Sequence, residues 1–271
     1  MKEFSTIAVE LKDKVVTARL NRPNKANALN ETLWHELGDL ARWVDETPEA
    51  RVLLLMANGK HFTAGIDFSL MMTVLGKVAS LPDGHKQEGM RKQILSLQDD
   101  FTQFETCRKP VIAAIAGACI GGGIDLITAC DIRIATSEAT FCVKEVDLAI
   151  VADIGTLQRL PPIVGEGMAR DLAFTGRTFG AEEALKMGLI SRILPDQAAL
   201  EEAALEAANA IAGKSPLTVR GIKQVMNYSR NRSVEEGLDH VATWNSAMLL
   251  SKDAQEAMGA MMEKRAPVFD D

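Results

Sequence analysis

Two short segments of almost wholly apolar sequence, residues 51–57 and 111–116, constrain the fold of this chain most. Segments of this length without a polar face are typical of strands covered on both sides, as in the sheet of an α/β protein. Asn30 is placed to cap a helix with one apolar face, and the chain from residue 163 onward is nearly all helical in pattern. The sequence therefore predicts an α/β core followed by a helical C-terminal region.

The remaining elements alternate in the same way along the first part of the chain. Residues 7–11 and 16–20 alternate apolar and polar side chains around a turn, which predicts two paired strands. The sequence further predicts helices over 69–107 with a break at 82–84, a tight loop over 117–123 and a helix over 124–129. Short strands are predicted over 132–135 and 140–143. Later helices are predicted over 181–187 and 196–212, then one that begins at Pro216, and one or two more over 234–262.

Charge and cysteine usage exclude several classes of function. The net charge is −7 and no basic cluster occurs, so we expect no nucleic-acid partner. The longest apolar run, residues 111–130, contains an aspartate and four glycines and is a poor membrane span. The four cysteines form no CxxC pair, which favours buried thiols over disulfides or a metal site. The N-terminus has no signal-peptide pattern, and the sequence predicts a cytoplasmic protein.

Three carboxylates lie in an otherwise apolar, glycine-rich stretch: Asp125, Glu145 and Asp153. Carboxylates are rarely buried unless they are paired or functional. One interpretation is proton transfer in a pocket that contains little water. The alternative is a structural role in ion pairs with basic residues that lie nearby in the sequence, namely Lys144, Arg133 and Arg159.

Two glycine loops offer backbone donors for an anion. A glycine-rich turn that opens a helix leaves unpaired N–H groups at its positive end. Gly122 in the loop over 117–123 and the segment 64–67 are the two candidates. Two such N–H groups aimed at one oxygen would form an oxyanion hole, and the alternative is that both are simple tight turns. No serine lies in a GxSxG motif and no HExxH motif occurs, so nucleophilic and zinc catalysis lack a basis in the sequence.

Several motifs in fixed order resemble those of the crotonase (enoyl-CoA hydratase/isomerase) superfamily over nearly the whole chain. They are Asn21-Arg22-Pro23 with Asn27-Ala28-Leu29, Phe62 to Asp67, Gly117 to Asp125, Gly155 to Pro161, and Gly188-Leu189-Ile190. The resemblance implies a crotonase-like spiral of ββα turns over residues 1–200. It also implies a helical region over 201–271 that caps the site and forms homotrimers or hexamers.

Within the superfamily the likeness is greatest to the Δ3,5-Δ2,4-dienoyl-CoA isomerases, which carry acids at the positions of Asp125, Glu145 and Asp153. The resemblance implies conversion of a 3,5-dienoyl-CoA to a 2,4-dienoyl-CoA, an auxiliary step of fatty acid β-oxidation. Glu145 is assigned to the proton at C2 and Asp153 to that at C6, although these roles could be exchanged. Asp125 would tune their pKa values through like charge. The amides of Ile66 and Gly122 would hold the thioester oxygen.

The resemblance also implies an acyl-CoA partner, with coenzyme A as part of the substrate and no separate cofactor or metal. Candidate residues for binding it are Lys25 and the loop residues Ala64, Gly65, Asp67, Gly121 and Gly123. The alternative activities are an enoyl-CoA hydratase, which would not need Asp153, and a Δ3-Δ2-enoyl-CoA isomerase that needs one acid. An RNA-binding protein and a structural oligomer with a decayed site are the non-catalytic alternatives.

Overall fold

The computed structural model describes residues 2–270. The strands are β1 (Ile7–Lys12), β2 (Val15–Leu20), β3 (Val52–Ala57), β4 (Val111–Ile115), β5 (Ala118–Ile120), β6 (Ile132–Thr136), β7 (Thr140–Cys142), β8 (Phe179–Gly180) and β9 (Arg192–Leu194). The helices are α1 (Glu31–Glu46), α2 (Phe68–Ala79), α3 (His85–Thr106), α4 (Gly122–Ala129), α5 (Thr156–Val164), α6 (Glu166–Thr175), α7 (Ala181–Lys186), α8 (Gln197–Ala212), α9 (Pro216–Ser229), α10 (Val234–Met248) and α11 (Lys252–Glu263).

The strands form two sheets. The larger has the order β1-β2-β3-β4-β6-β9, and only the β1–β2 pair in it is antiparallel. The smaller has the order β5-β7-β8. The successive pairs β4/β5 and β6/β7 each place one strand in the large sheet and the next in the small one, and helices follow each pair. This recurrence is the spiral of ββα turns that the resemblance implies.

Local sequence explains why the first elements form where they do. Asn30 caps α1, because its Oδ1 accepts a hydrogen bond from the Leu33 amide at 3.1 Å. All six residues of β3 are buried, as their apolar pattern predicts for a strand covered on both faces. Three strands are not predicted from the sequence: β5 lies inside the predicted loop, and β8 and β9 lie in the region predicted to be helical. Each has only two or three residues, which is too short for a period of two to appear.

Helices cover both faces of the large sheet. One face carries the main core, which includes the buried face of α1 and Phe101 and Phe104 of α3. The other face packs against α8, whose buried residues are Leu200, Ala204, Ala208 and Ala212. The predicted boundary between the core and the C-terminal helical region, after residue 200, falls within α8. Because α8 packs on the sheet, it belongs to the α/β core. Helices α9–α11 follow it. Within residues 2–270 no helix is long and apolar enough to cross a membrane.

The topology brings the two glycine loops to one edge of the sheet. β3 and β4 are neighbouring parallel strands, with Leu53 opposite Val111 and Leu55 opposite Ala113. Their carboxyl ends therefore lie at the same edge, where ligands of open α/β sheets generally bind. The loop that follows β3 contains residues 58–67, and the segment that follows β4 leads through β5 to α4.

Candidate active site

The first glycine loop runs beside β5 as though it were a further strand. The Thr63 amide donates to the Ala118 carbonyl at 2.9 Å, and the Ile120 amide donates to the Thr63 carbonyl at 3.1 Å. Gly65 has a φ of +91°, and an added Cβ would lie 2.8 Å from the Ile120 carbonyl oxygen. Only glycine allows this close approach, which brings the two loops into direct contact.

The two predicted oxyanion donors are unpaired backbone amides. Among residues 2–270, no protein group accepts a hydrogen bond from the Ile66 amide, although both neighbouring amides, those of Gly65 and Asp67, are bonded. Gly122 is the first residue of α4, so its amide has no partner within the helix, and no other described residue accepts a hydrogen bond from it. Ile66 and Gly122 both line the same cavity. The arrangement can therefore offer two N–H groups to a negatively charged oxygen.

The segment around Arg22 and Asn27 supports the first loop. The buried Asn27 side chain donates to the carbonyls of Asn58 and His61 at 2.9 and 2.8 Å, and its Oδ1 accepts from the Arg22 amide. The Ala64 amide donates to the Ala26 carbonyl at 2.9 Å. These bonds fix the path of the loop on both sides of Gly65, and they give the Asn-Arg-Pro and Asn-Ala-Leu motifs a structural function.

The cavity at this edge has a volume of about 400 Å³ and mostly apolar walls. Its polar side chains are the three acids Asp125, Glu145 and Asp153, together with Lys144 and Trp34. The apolar wall is formed mainly by α2 and α3 and contains Leu70, Met71, Val74, Leu75, Met90, Ile94 and Leu97. A volume of this size with a few convergent polar groups suits a small organic ligand with an apolar chain.

None of the three acids forms an ion pair within residues 2–270. The three basic residues that the alternative interpretation requires have other partners. Lys144 pairs with Asp147, Arg133 donates to the carbonyls of Leu189, Ile127 and Cys130, and Arg159 pairs with Glu105 at 2.8 Å. The structural explanation for these acids therefore fails. Glu145 Oε2 is buried and accepts no hydrogen bond from any described residue.

Burial shifts the acids towards their neutral forms. It raises the pKa of Asp125 to about 7, and the charge of Glu145 adds to this effect. Burial also raises the pKa of Glu145, with a further contribution from the charge of Asp153. The pKa of Asp153 is raised by burial. The repulsion between these carboxylates is mutual, so the three acids titrate as a coupled group. Acids poised in this way can exchange protons near neutral pH.

Two further residues, to which the sequence alone gives no function, hold these acids in place. Gln98 of α3 donates from Nε2 to the Asp153 carbonyl at 2.5 Å. Thr156, the first residue of α5, donates from both its amide and its hydroxyl to Asp125 Oδ1, each at 2.7 Å. Thr156 belongs to the Gly155–Pro161 motif, but the partners are 55 and 31 residues apart in the chain, so neither contact has a local signal.

The predicted substrate-binding residues divide into three groups. Ala64, Gly65 and Gly121 line the cavity. Lys25 lies in an exposed turn outside it. The other two have structural contacts: the Asp67 carboxylate pairs with Arg22 at 3.1 Å and caps α2, and Gly123 faces the protein interior, where an added Cβ would lie 2.6 Å from Thr63 Cγ2. Both are explained by loop support and close packing.

Gly121 gives a first test of the geometry. Its φ is +51°, and an added Cβ would lie 3.2 Å from Glu145 Oε1. Gly121→Ala is therefore expected to lower kcat/KM about tenfold by displacing the carboxylate. Backbone strain should also lower the free energy of unfolding by about 1–2 kcal/mol. Steady-state kinetics and urea unfolding measure the two effects.

The matched control is Gly76→Ala on α2. Nothing lies within 4 Å of a Cβ added at this exposed position, and alanine is the better helix former. Stability should therefore stay the same or rise slightly, and the kinetics should not change. Equal kcat/KM values for the two variants would contradict the placement of Glu145 against Gly121.

Comparison with known proteins places the chain in a class. Residues 10–271 match the family model for enoyl-CoA hydratase/isomerase. The chain therefore belongs to the enoyl-CoA hydratase/isomerase family. The crystal structure of an enoyl-CoA hydratase from Bacillus anthracis superimposes with a TM-score of 0.87 at 33 % identity, covering 98 % of this chain and 99 % of that one. The crotonase fold predicted from the sequence is confirmed.

Two curated relatives are more similar in sequence. The chain is 47 % identical to the peroxisomal Δ3,5-Δ2,4-dienoyl-CoA isomerase of Arabidopsis thaliana, over 99 % of this chain and 98 % of that protein. It is 43 % identical to the mitochondrial enzyme of the same name from Mus musculus, over 93 % of this chain and 77 % of that protein. The prediction of a cytoplasmic protein is wrong, because these relatives are organellar. Subcellular location is set by targeting signals, and fold and composition do not reveal such signals.

Proposed function

We propose that this chain is a Δ3,5-Δ2,4-dienoyl-CoA isomerase of fatty acid β-oxidation. One observation carries the proposal: three carboxylates that have no ion-pair partner within residues 2–270 share an apolar cavity with two amides that are unpaired in the same part of the chain. The names of the two curated relatives support it. A hydratase adds water across one double bond and has no evident use for an acid at Asp153, far along the acyl chain.

The proposed reaction shifts the two conjugated double bonds from positions 3 and 5 to positions 2 and 4 by two proton transfers. Glu145 takes a proton from C2, and the electron pair of the broken C–H bond enters the thioester to form an extended enolate. The amides of Ile66 and Gly122 hold the enolate oxygen, and each such donor typically contributes about 3–4 kcal/mol to transition-state stability. Asp153 then donates its proton at C6, and the thioester carbonyl re-forms. Water returns both acids to their starting states.

Burial suits each residue to its proposed role. The raised pKa of Asp153 favours the protonated form that a donor at C6 requires. The raised pKa of Glu145 strengthens it as a base towards C2, and its buried Oε2 has no competing partner among the described residues. The reaction transfers protons only, so it needs no redox group or metal, and coenzyme A enters as part of the substrate.

The substrate is proposed to lie with its acyl chain along the wall formed by α2 and α3. This wall carries leucine, valine, isoleucine and methionine side chains and no charged residue among those that line the cavity. Ala64, Gly65 and Gly121 would pack against the thioester region. Lys25 is proposed for the phosphates of coenzyme A, because it is exposed and lies in the turn that carries Ala26, the partner of Ala64.

We also propose that the protein forms homotrimers or hexamers through its C-terminal helices. Helices α9–α11 and their connections expose many large apolar side chains, including Met226, Leu238, Leu249, Leu250, Met258, Met261 and Met262. Exposed apolar surface of this extent is typical of a protein–protein interface. Light scattering should give three or six times the 29.4-kDa mass of the chain. A monomeric mass would contradict this proposal.

A spectrophotometric assay of the purified protein tests the function. With 3,5-octadienoyl-CoA we expect growth of the ultraviolet absorbance of the conjugated 2,4-dienoyl thioester. With crotonyl-CoA we expect slow or no loss of the enoyl absorbance. Rapid hydration of crotonyl-CoA without diene formation would reject the isomerase in favour of a hydratase.

A pair of variants at Gly122 tests the oxyanion hole. Gly122→Pro removes the amide hydrogen at the first position of α4, where proline is well tolerated in helices. Gly122→Ala keeps that hydrogen and controls for crowding, because an added Cβ would lie 3.0 Å from Leu29 Cδ1. We expect kcat to be about 10²-fold lower in the proline variant than in the alanine variant. Equal rates would exclude this amide as a donor.

A further inference from the structure

Asp125 joins α4 to the start of α5 through one of its two carboxylate oxygens. The Thr156 amide and hydroxyl both donate to Oδ1 at 2.7 Å, and no described residue within 2–270 donates to Oδ2. Asp125 is 1 % exposed and Thr156 is fully buried, so water does not readily compete for Oδ1. An oxygen that accepts two donated hydrogens is a poor place for a third, so a proton bound by Asp125 belongs on Oδ2.

The surroundings of Asp125 hold negative charge that has no counter-ion. Glu145 and Asp153 line the same cavity, and the nearby Cys119 thiol on β5, whose pKa is raised by burial, stays neutral and offers no counter-charge. The nearest basic residue on α5, Arg159, is held by Glu105 of α3. Three carboxylates in one apolar cavity cannot all be ionised at little cost. The most deeply buried of them, Asp125, is the natural site for a retained proton.

We propose that Thr156 is the positioning residue of Asp125: its two donors direct the proton to Oδ2 and determine the pH at which Asp125 ionises. This inference rests on the proposed isomerase function. A neutral Asp125 leaves Glu145 free to be the ionised base. Once Asp125 ionises, a second negative charge opposes formation of the enolate, and catalysis falls at alkaline pH.

Variants of Thr156 separate this role from simple packing. Thr156→Val removes the hydroxyl donor with little change of shape, and Thr156→Ser keeps the donor. Loss of one hydrogen bond to a carboxylate favours its protonated form, because the bond donated to the charged carboxylate is stronger than the bond donated to the neutral acid. The ionisation of Asp125, with a pKa of about 7 in the wild type, should move up by about one pH unit in the valine variant and stay near the wild-type value in the serine variant.

Two measurements test the proposal on the full-length protein. Carbon-13 NMR of labelled aspartate carboxyls, with the signal assigned by its loss in Asp125→Asn, follows the ionisation directly. The alkaline limb of kcat/KM for 3,5-octadienoyl-CoA should move up in Thr156→Val, and this shift should be absent when Thr156→Val is combined with Asp125→Asn, in which only the ionisation of Asp153 still lowers activity at high pH. If the valine variant does not fold, Thr156→Ala removes the same hydroxyl and is measured instead.

The outcomes separate this inference from the proposed function. An unshifted Asp125 titration in Thr156→Val, or a kcat/KM profile that is lowered evenly without moving, would reduce Thr156 to a packing residue and overturn the proposal. A wild-type protein that does not isomerise the dienoyl-CoA would reject the proposed function. In that case the NMR titration alone would still decide whether Thr156 controls the ionisation of Asp125.

Discussion

Replacing Glu145 with glutamine is expected to lower kcat for 3,5-octadienoyl-CoA by about 10³- to 10⁴-fold, at the upper end of the contribution of a positioned general base. The amide has nearly the same shape as the carboxylate but cannot accept the C2 proton. Because Glu145 Oε2 has no hydrogen-bond partner among the described residues, an amide nitrogen at that position displaces no existing hydrogen bond. The melting temperature should therefore stay the same or rise slightly, since a buried acid without a counter-ion is removed.

The matched control is Asp147→Asn, two residues along the same turn. Its carboxylate is exposed and pairs with Lys144, and surface ion pairs of this kind contribute little to stability. The control should keep wild-type kcat and thermal stability within about twofold and about 1 °C. Comparable losses of activity in both variants would point to disruption of the turn, and would contradict a specific role for Glu145.

Asp153→Asn is expected to lower diene formation by about 10²- to 10⁴-fold, because it removes the proton donor at C6. The first half of the reaction needs only Glu145 and the oxyanion hole. Exchange of the C2 hydrogens of the substrate with solvent deuterium should therefore continue in this variant and be lost in Glu145→Gln. Proton NMR of the recovered thioester measures the exchange, and ultraviolet absorbance measures the diene.

This pair of variants also tests the assignment of the two acids. The opposite pattern, with C2 exchange lost in Asp153→Asn and kept in Glu145→Gln, would exchange their roles and leave the two-acid mechanism intact. Full isomerase activity in Asp153→Asn would contradict that mechanism. Asp171→Asn is a suitable control, because Asp171 is an exposed acid that pairs with Arg177 on the surface. It should behave as the wild type in both measurements.

The sequence predicts well those elements whose cause is local. The cap at Asn30, the turn between β1 and β2 and the buried strand β3 all depend on residues that are neighbours in the chain. The short strands β5 and β9 do not have a local cause. β9 pairs with β6 about 58 residues away, and its three residues form a strand because the sheet edge accepts them. The sequence pattern therefore predicts the central elements of the fold but not the short strands at the edges of the sheets.

The same distinction explains what could be predicted of the site. Asp125, Glu145 and Asp153 stand out because charged residues in apolar sequence are rare, and the structure brings all three to one cavity. Thr156 and Gln98 carry no such signal, since threonine and glutamine are ordinary residues at a helix start and on a helix surface. Their contribution arises from hydrogen bonds to partners far away in the chain. Asp67 is also a prominent motif position, and its observed contacts, an ion pair with Arg22 and the cap of α2, support the loop.

The mechanism depends on two different acids at the two ends of the diene, and one measurement tests this directly. The wild-type protein converts 3,5-octadienoyl-CoA in D₂O, and NMR locates the deuterium in the product. If Asp153 supplies the C6 proton after exchange with solvent, the 2,4-dienoyl-CoA should carry nearly one deuterium at C6 per turnover. Two results would contradict the two-acid mechanism by showing that a single acid transfers both protons. One is direct transfer of the C2 proton to C6 without deuterium. The other is a 2,5-diene product with deuterium at C4.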